Sequence, residues 1–342
     1  MKKKYVAVDL FSGSGGLSVG LKAAGFDIKI AIEKDPLAGA CYKDNHPQTH
    51  LFLKDISLVE IKEVKKRLNG NRLDLLAGCP PCQGFSSIRR LNRKQAKRDK
   101  RNALLMQYLR FVKALKPVTI MMENVPALRN YYLFSEMLKK LKKLNYHIDY
   151  TIVNVSKYGV PQRRRRIVLV GSLLGPIKVA PPTFETVTVR QTIAKLPRPN
   201  KATDPLQKIM MKHSEKISRL IKLIPKNGGS RTDLPRKEQL ACHKKEDVGF
   251  NDIYGRLKWD DVSGTITGGC LNPSKGRFLH PTQNRVITPR EAALLQTFPM
   301  SYKFPANINK GKLALLIGNA LPPRFSKIQV QNIAAHLKQH GY

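Results

Sequence analysis

Two cysteines stand three positions apart in GCPPCQGFSS (78–87). A Cys-x-x-Cys pair can ligate zinc, cycle as a dithiol, or present one reactive thiolate. A zinc site needs two further ligands, and Cys242, His243 and Cys270 show no paired spacing. A dithiol couple needs a thioredoxin-like context, which the neighbouring motifs do not supply. A nucleophile needs a turn after a strand and nearby cations that lower the thiol pKa. The run IRRLNRKQAKRDKR (88–101) supplies the cations, and its length and charge read as a loop facing nucleic acid rather than a merely solvated one. A second chemical motif, DLFSGSGG (9–16), has glycines that allow a tight turn and close approach to a ligand. Its spacing is not GxGxxG, which disfavours a nicotinamide cofactor. Glu33 ends an apolar run and could accept hydrogen bonds from ribose hydroxyls. Asp55, just before a helical pattern, reads equally as an adenine contact or a helix cap. Together these say nucleoside-containing cofactor. A third motif, MENVPAL (122–128), puts a carboxylate at a strand end, where it could exchange a proton with a bound base.

These motifs need a scaffold that gathers them. YVAVDLF (5–11) reads as a buried strand, and DIKIAIE (27–33), RLDLLAG (72–78), VTIMMEN (118–124), HIDYTIVNV (147–155) and RIVLVGS (166–172) read as further strands, several followed by helical patterns. Such alternation predicts an α/β fold with a mostly parallel sheet covered by helices on both faces. Ligands then bind beyond the carboxyl ends of the strands, where every motif above falls. The rhythm stops near residue 175, where Pro176, Pro181, Pro182, Pro197 and Pro199 cluster. The stretch to about 300 is basic and turn-rich, with GTITGG (264–269) as its most sheet-like part. The last forty residues turn helical again. The expected organisation is a discontinuous larger domain, 1–177 with 302–342, and a smaller irregular domain, 178–301.

The chain has 342 residues, 62 Lys and Arg against 24 Asp and Glu, and a formal net charge of +38. A protein this far from neutrality repels itself unless a polyanion compensates, and nucleic acid is the obvious one. A Lys-rich genome would raise Lys content, but RRRR at 163–166 is harder to attribute to it. At 42% hydrophobic residues the chain can build a core. Five scattered cysteines do not form a disulfide framework. The opening MKKKYVAVDLF has a short apolar stretch interrupted by Asp9, so it does not read as a signal peptide, and no run reads as a membrane span. The expected location is cytoplasmic.

DLFSGSGG, PCQGFS, ENV, QRRRR, a variable region, TPREAALLQTFP and GNALPP occur in this order. The chain thus resembles the bacterial DNA (cytosine-5)-methyltransferases over all but its variable middle. The resemblance implies a Rossmann-like S-adenosylmethionine-dependent methyltransferase fold with a target-recognition domain. It implies methyl transfer to carbon 5 of cytosine in double-stranded DNA, with S-adenosylhomocysteine as product and no metal. Cys82, not Cys79, is then the nucleophile that adds to carbon 6. Glu123, with Asn124 beside it, binds the exocyclic amine and ring nitrogen 3. Arg166 contacts the cytosine carbonyl, and Arg164 supports the cysteine loop. Phe11, Gly13, Ser14, Gly16, Glu33, Asp55, Ile56, Pro81, Leu104 and Asn319 form the cofactor pocket.

A cytosine inside a duplex must be flipped out to reach Cys82. The expected DNA contacts are Gln83, Ser86, Arg89, Arg90, Gln162, Arg256, Thr265 and Arg277, the arginines reading either guanine or phosphate. The expected partners are duplex DNA and a separately acting restriction endonuclease. The enzyme is expected to be a monomer near the bacterial nucleoid. The alternative is a tRNA cytosine methyltransferase of the same fold, against which the long basic recognition region argues.

Overall fold

The computed structural model describes residues 4–81, 104–244 and 252–342. Among them, seven aliphatic-rich runs become strands: β1 Val6–Leu10, β2 Asp27–Glu33, β3 His50–Leu53, β4 Leu75–Gly78, β5 Thr119–Asn124, β6 His147–Asn154 and β7 Arg165–Ser172. They form one sheet in the order β3-β2-β1-β4-β5-β7-β6. β1 to β5 are parallel, and β7 runs antiparallel to both β5 and β6. β1, β4 and β5 are buried along their whole length, as strands covered on both faces must be. β3 is absent from the strands read in the sequence because HLFL is too short for a period to register.

The helices between these strands are α1 Gly16–Ala23, α2 Pro36–Asn45, α3 Ile61–Leu68, α4 Leu104–Leu115 and α5 Tyr132–Lys143. α2 starts where it does because the Asp35 carboxylate accepts from the Ala38 amide and Pro36 fills the first helical position. α4 and α5 bury Tyr108, Phe111, Phe134 and Met137 in the core that also holds Val8, Leu76 and Ile120. β1 has β2 on one side and β4 on the other, so the strand order reverses between β1 and β4. The loops after these two strands flank the crevice where such sheets bind ligands.

The chain divides into two compact units. The first comprises Met1–Val155, Arg165–Thr183 and Leu321–Tyr342. Within it the last helix, α11 Pro323–Gln339, packs on α1. The approach is close: a Cβ on Gly20 would lie 1.9 Å from Ser326 Oγ and 2.6 Å from the Lys327 amide nitrogen. The second unit comprises Ser156–Arg164 and Phe184–Ala320. It holds α6 Val189–Ile193, α7 Pro205–Lys208, α8 Glu215–Leu223, α9 Pro289–Leu295 and α10 Lys310–Gly318. These boundaries differ from the 178 and 301 read in the sequence. Proline density marks where the strand-helix rhythm ends, not where contacts change partners, and α10 packs on α9.

The expected sheet-like core at 264–269 does not form. No strand occurs there, and Ser263 makes only an isolated bridge with Gln162. Three of the six residues are glycines, which weaken strand pairing.

Candidate active site

The loop after β1 turns through left-handed backbone at Phe11, Gly13 and Gly15, with φ of 60°, 53° and 90°. Glu33 holds this turn. Its Oε2 accepts from the Gly13 amide at 2.8 Å, and its Oε1 accepts from the amides of Lys34 and Asp35, each at 2.8 Å. A carboxylate offers about four lone-pair positions, so these three bonds leave Glu33 little capacity for a further donor. α1 begins at Gly16 with no side-chain cap among the described residues, which leaves backbone amides for an anionic group. An open turn, an uncapped helix start and a carboxylate at the end of β2 suit an amino-acid-bearing nucleoside. Ser14 and Gly16 are themselves buried.

Asp55 realises its capping reading: Oδ1 accepts from the Ser57 amide at 3.0 Å and the Ser57 hydroxyl at 2.7 Å. Those bonds hold its carboxyl below the usual carboxylate range. The Ile56 side chain is 3% exposed and packs in the hydrophobic core, because Ile56 opens the short turn that Asp55 caps. Leu104, at the start of α4, is half-buried against the same core. Asn319 is exposed, caps α10 and belongs to the second unit.

On the strand next to β4, Glu123 is the penultimate residue of β5, and Arg166 lies near the start of β7. Arg166 Nε stands 2.7 Å from Glu123 Oε1, with side chains 15% and 9% exposed, so the pair is largely desolvated. Asn124 Nδ2 donates to the Pro80 carbonyl at 2.9 Å, which ties β5 to the chain two residues before Cys82. Its Oδ1 accepts from the Val125 amide. Asn124 therefore positions the loop. Pro81 is half-buried beside it.

One buried group escaped the sequence reading. Asp9 is fully buried; its Oδ2 accepts from Ser18 Oγ at 2.6 Å, and Ser18 Oγ lies 2.8 Å from the Tyr42 hydroxyl. Burial pushes the Asp9 carboxyl up to about 7. A lone acid inside the apolar run YVAVDLF was the available signal.

Cys82, Gln83, Ser86, Arg89 and Arg90 lie outside the described residues. Arg164 and Gln162 fall in the second unit, unlike Arg166. Arg164 is buried and donates to the carbonyls of Ile266 and Gly318. The DNA-contact expectation for Gln162 is corrected: it is fully buried, donating to the Leu295 carbonyl and Gln296 Oε1 and accepting from the Ile266 amide. Thr265 is half-buried and spends its hydroxyl on the Arg163 carbonyl at 2.7 Å.

The expectation for Arg256 is corrected most sharply. It is 0% exposed, and its guanidinium donates to the carbonyls of Ile224, His280, Gln283 and Ile221 and to Asn284 Oδ1. It is a structural hub, because a planar five-donor fork satisfies several inward-pointing carbonyls at once. Arg277 likewise donates to the carbonyls of Gly228, Gly229 and Arg256. Arg256→Ala is expected to destabilise by about 3–5 kcal/mol through stranded buried carbonyls. Thermal melts should show the loss, while the salt slope of DNA binding should stay unchanged.

The sheet order, the glycine turn at the strand-order reversal and the acidic residue ending β2 define a Rossmann-like methyltransferase fold with an accessory region. The sequence model of the family described as C-5 cytosine-specific DNA methylase matches residues 5–335. The chain is 36% identical over 344 residues to the type II methylase M.HgiDII of Herpetosiphon aurantiacus, covering 97% of this chain and 95% of that one. A type II methyltransferase of Haemophilus parahaemolyticus is 32% identical, covering 92% and 83%. A solved structure, the Dnmt2 methyltransferase of Schizosaccharomyces pombe, shares the fold with a TM-score of 0.69 at 21% identity, covering 98% of this chain and 100% of that one. The chain belongs to the C-5 cytosine-specific DNA methylases. It is an S-adenosylmethionine-dependent enzyme that methylates carbon 5 of cytosine in DNA on a flipped-out base.

Among the described residues no His, Cys, Asp and Glu cluster could hold a metal, and no helix is long and apolar enough to cross a membrane.

Proposed function

We propose that Cys82 is the nucleophile and that Glu123 and Arg166 activate the target base. One observation carries this reading: the desolvated Arg166–Glu123 pair lies at the strand end whose next residue, Asn124, is bonded to Pro80 in the loop leading to Cys82. The Cys82 thiolate adds to carbon 6 of cytosine, and its electron pair displaces ring density toward nitrogen 3 and carbon 5. Glu123 meets the charge at nitrogen 3 with a proton and accepts from the exocyclic amine. Arg166 fixes the Glu123 carboxyl and reaches the cytosine carbonyl. Bound S-adenosylmethionine supplies the electrophilic methyl that the enriched carbon 5 accepts. A base, water in this reading, removes the carbon 5 proton, and the thiolate leaves by elimination.

The residues of the first unit proposed to hold the cofactor are Phe11, Gly13, Ser14, Gly16, Glu33, Asp55, Ile56, Pro81 and Leu104. The first unit carries the chemistry, and the second reads the sequence. The type II relatives support a role as the modification enzyme of a restriction-modification system, with a separately acting endonuclease. The reading includes a monomer acting in the cytoplasm on nucleoid DNA.

The test is incubation with methyl-labelled S-adenosylmethionine and either duplex DNA or tRNA, followed by bisulfite sequencing of the DNA. Label in DNA at one repeated sequence context is expected. Label confined to tRNA would overturn the reading.

A further inference from the structure

We propose that Cys79 is a positioning residue for Glu123: its sulfhydryl braces the carboxyl group that Arg166 holds through Oε1. The inference rests on the role proposed for Glu123. β4 and β5 are parallel with Gly78 opposite Met122, so the next rung puts Cys79 opposite Glu123. The Cys79 amide extends the ladder on its other side by donating to the Leu10 carbonyl at 3.3 Å, which keeps Cys79 in strand register. Side chains at paired positions of a parallel sheet share a face, so the thiol and the carboxylate project together.

The next residue pair repeats the bond in other chemistry, since Asn124 Nδ2 donates to the Pro80 carbonyl. β5 thus clasps the loop at two consecutive positions, by Glu123 with Cys79 and by Asn124 with Pro80. Burial, and then the Glu123 carboxylate that the thiol hydrogen-bonds, push the Cys79 thiol well above the usual range. Asp9, on the same sheet face at the adjacent strand, adds to the effect. Cys79 therefore stays protonated and can act as a donor. The second cysteine of the motif has the opposite requirement, because a nucleophile must ionise.

The test compares Cys79→Ser, which keeps a donor, with Cys79→Ala, which removes it. Each is measured for single-turnover methyl transfer, for KM toward DNA and S-adenosylmethionine, and for thermal midpoint. C79A is expected to slow the single-turnover rate about 3- to 10-fold at unchanged KM, the scale of one lost hydrogen bond, and C79S to restore most of it. Equal rates for C79A and the unaltered protein overturn the proposal. So does a C79S rate as low as that of C79A, which would mean side-chain volume matters and not the donor. If C79A folds poorly, C79S alone still decides: a rate about 3-fold or more below the unaltered protein overturns the proposal. An unaltered protein with no cytosine methylation would instead strike the parent reading.

Discussion

Cys82→Ala is expected to abolish methyl transfer while leaving DNA affinity intact. Carbon 5 of cytosine is a poor nucleophile until a group adds at carbon 6, and alanine offers none. Losing an enzyme's nucleophile costs roughly four orders of magnitude or more. Cys79 cannot substitute, because its thiol is held protonated. Cys41 and Cys270 cannot either: both are buried, with thiols pushed up to about 12. DNA affinity should persist because it derives chiefly from phosphate contacts, which the substitution does not touch. Methyl incorporation and a mobility-shift titration at one salt concentration separate the two quantities. Turnover within tenfold of the unaltered enzyme would rule out Cys82 as nucleophile. The unaltered enzyme should also form a stable adduct with DNA carrying 5-fluorocytosine at the target, since fluorine blocks the final proton removal.

Glu123→Gln is the second large effect, a fall of about 10²–10⁴ in the rate of methyl transfer. Glutamine preserves the shape, and its carbonyl can still accept from Arg166, but it cannot deliver a proton to nitrogen 3. The fold should therefore survive. Arg166→Ala provides the contrast. It strands a mostly buried carboxylate at the end of β5, and breaking a buried pair from one side costs about 3–5 kcal/mol. E123Q should lose rate and a smaller part of its melting temperature, because Arg166 keeps a hydrogen bond but loses its counter-charge, whereas R166A should lose both more fully. The double variant should melt above R166A, because no unpaired charge remains. A double variant less stable than R166A would mean the pair is not the source of the cost.

The sheet was legible because most of its strands are apolar runs bounded by turns, and β1, β4 and β5 are buried along their whole length. The order of the sequence blocks singled out Cys82 and Glu123, and the sheet order puts Glu123 on the strand next to β4. What stayed hidden were residues whose chemistry is common to several roles. Arg256 in a basic chain has the look of a DNA contact, and nothing in its neighbours announces that Ile221, Ile224, His280 and Gln283 will aim carbonyls at it. Gln162 is hidden for the same reason: an amide can read a base or satisfy a buried backbone, and only the fold decides. Asp55 had two readings in the sequence, a cap and an adenine contact, and the cap is formed, with the Ser57 hydroxyl at 2.7 Å.

The packing of α11 on α1 has a consequence for synthesis. Ser326 and Gly16 are 310 residues apart. At about 5–20 residues per second, the glycine face of α1 leaves the ribosome roughly 15–60 s before its covering helix exists. β1 to β5 are complete long before then. For that interval a nascent sheet carries an exposed patch, and the newborn chain depends on other proteins, or on chance, to keep it from sticking.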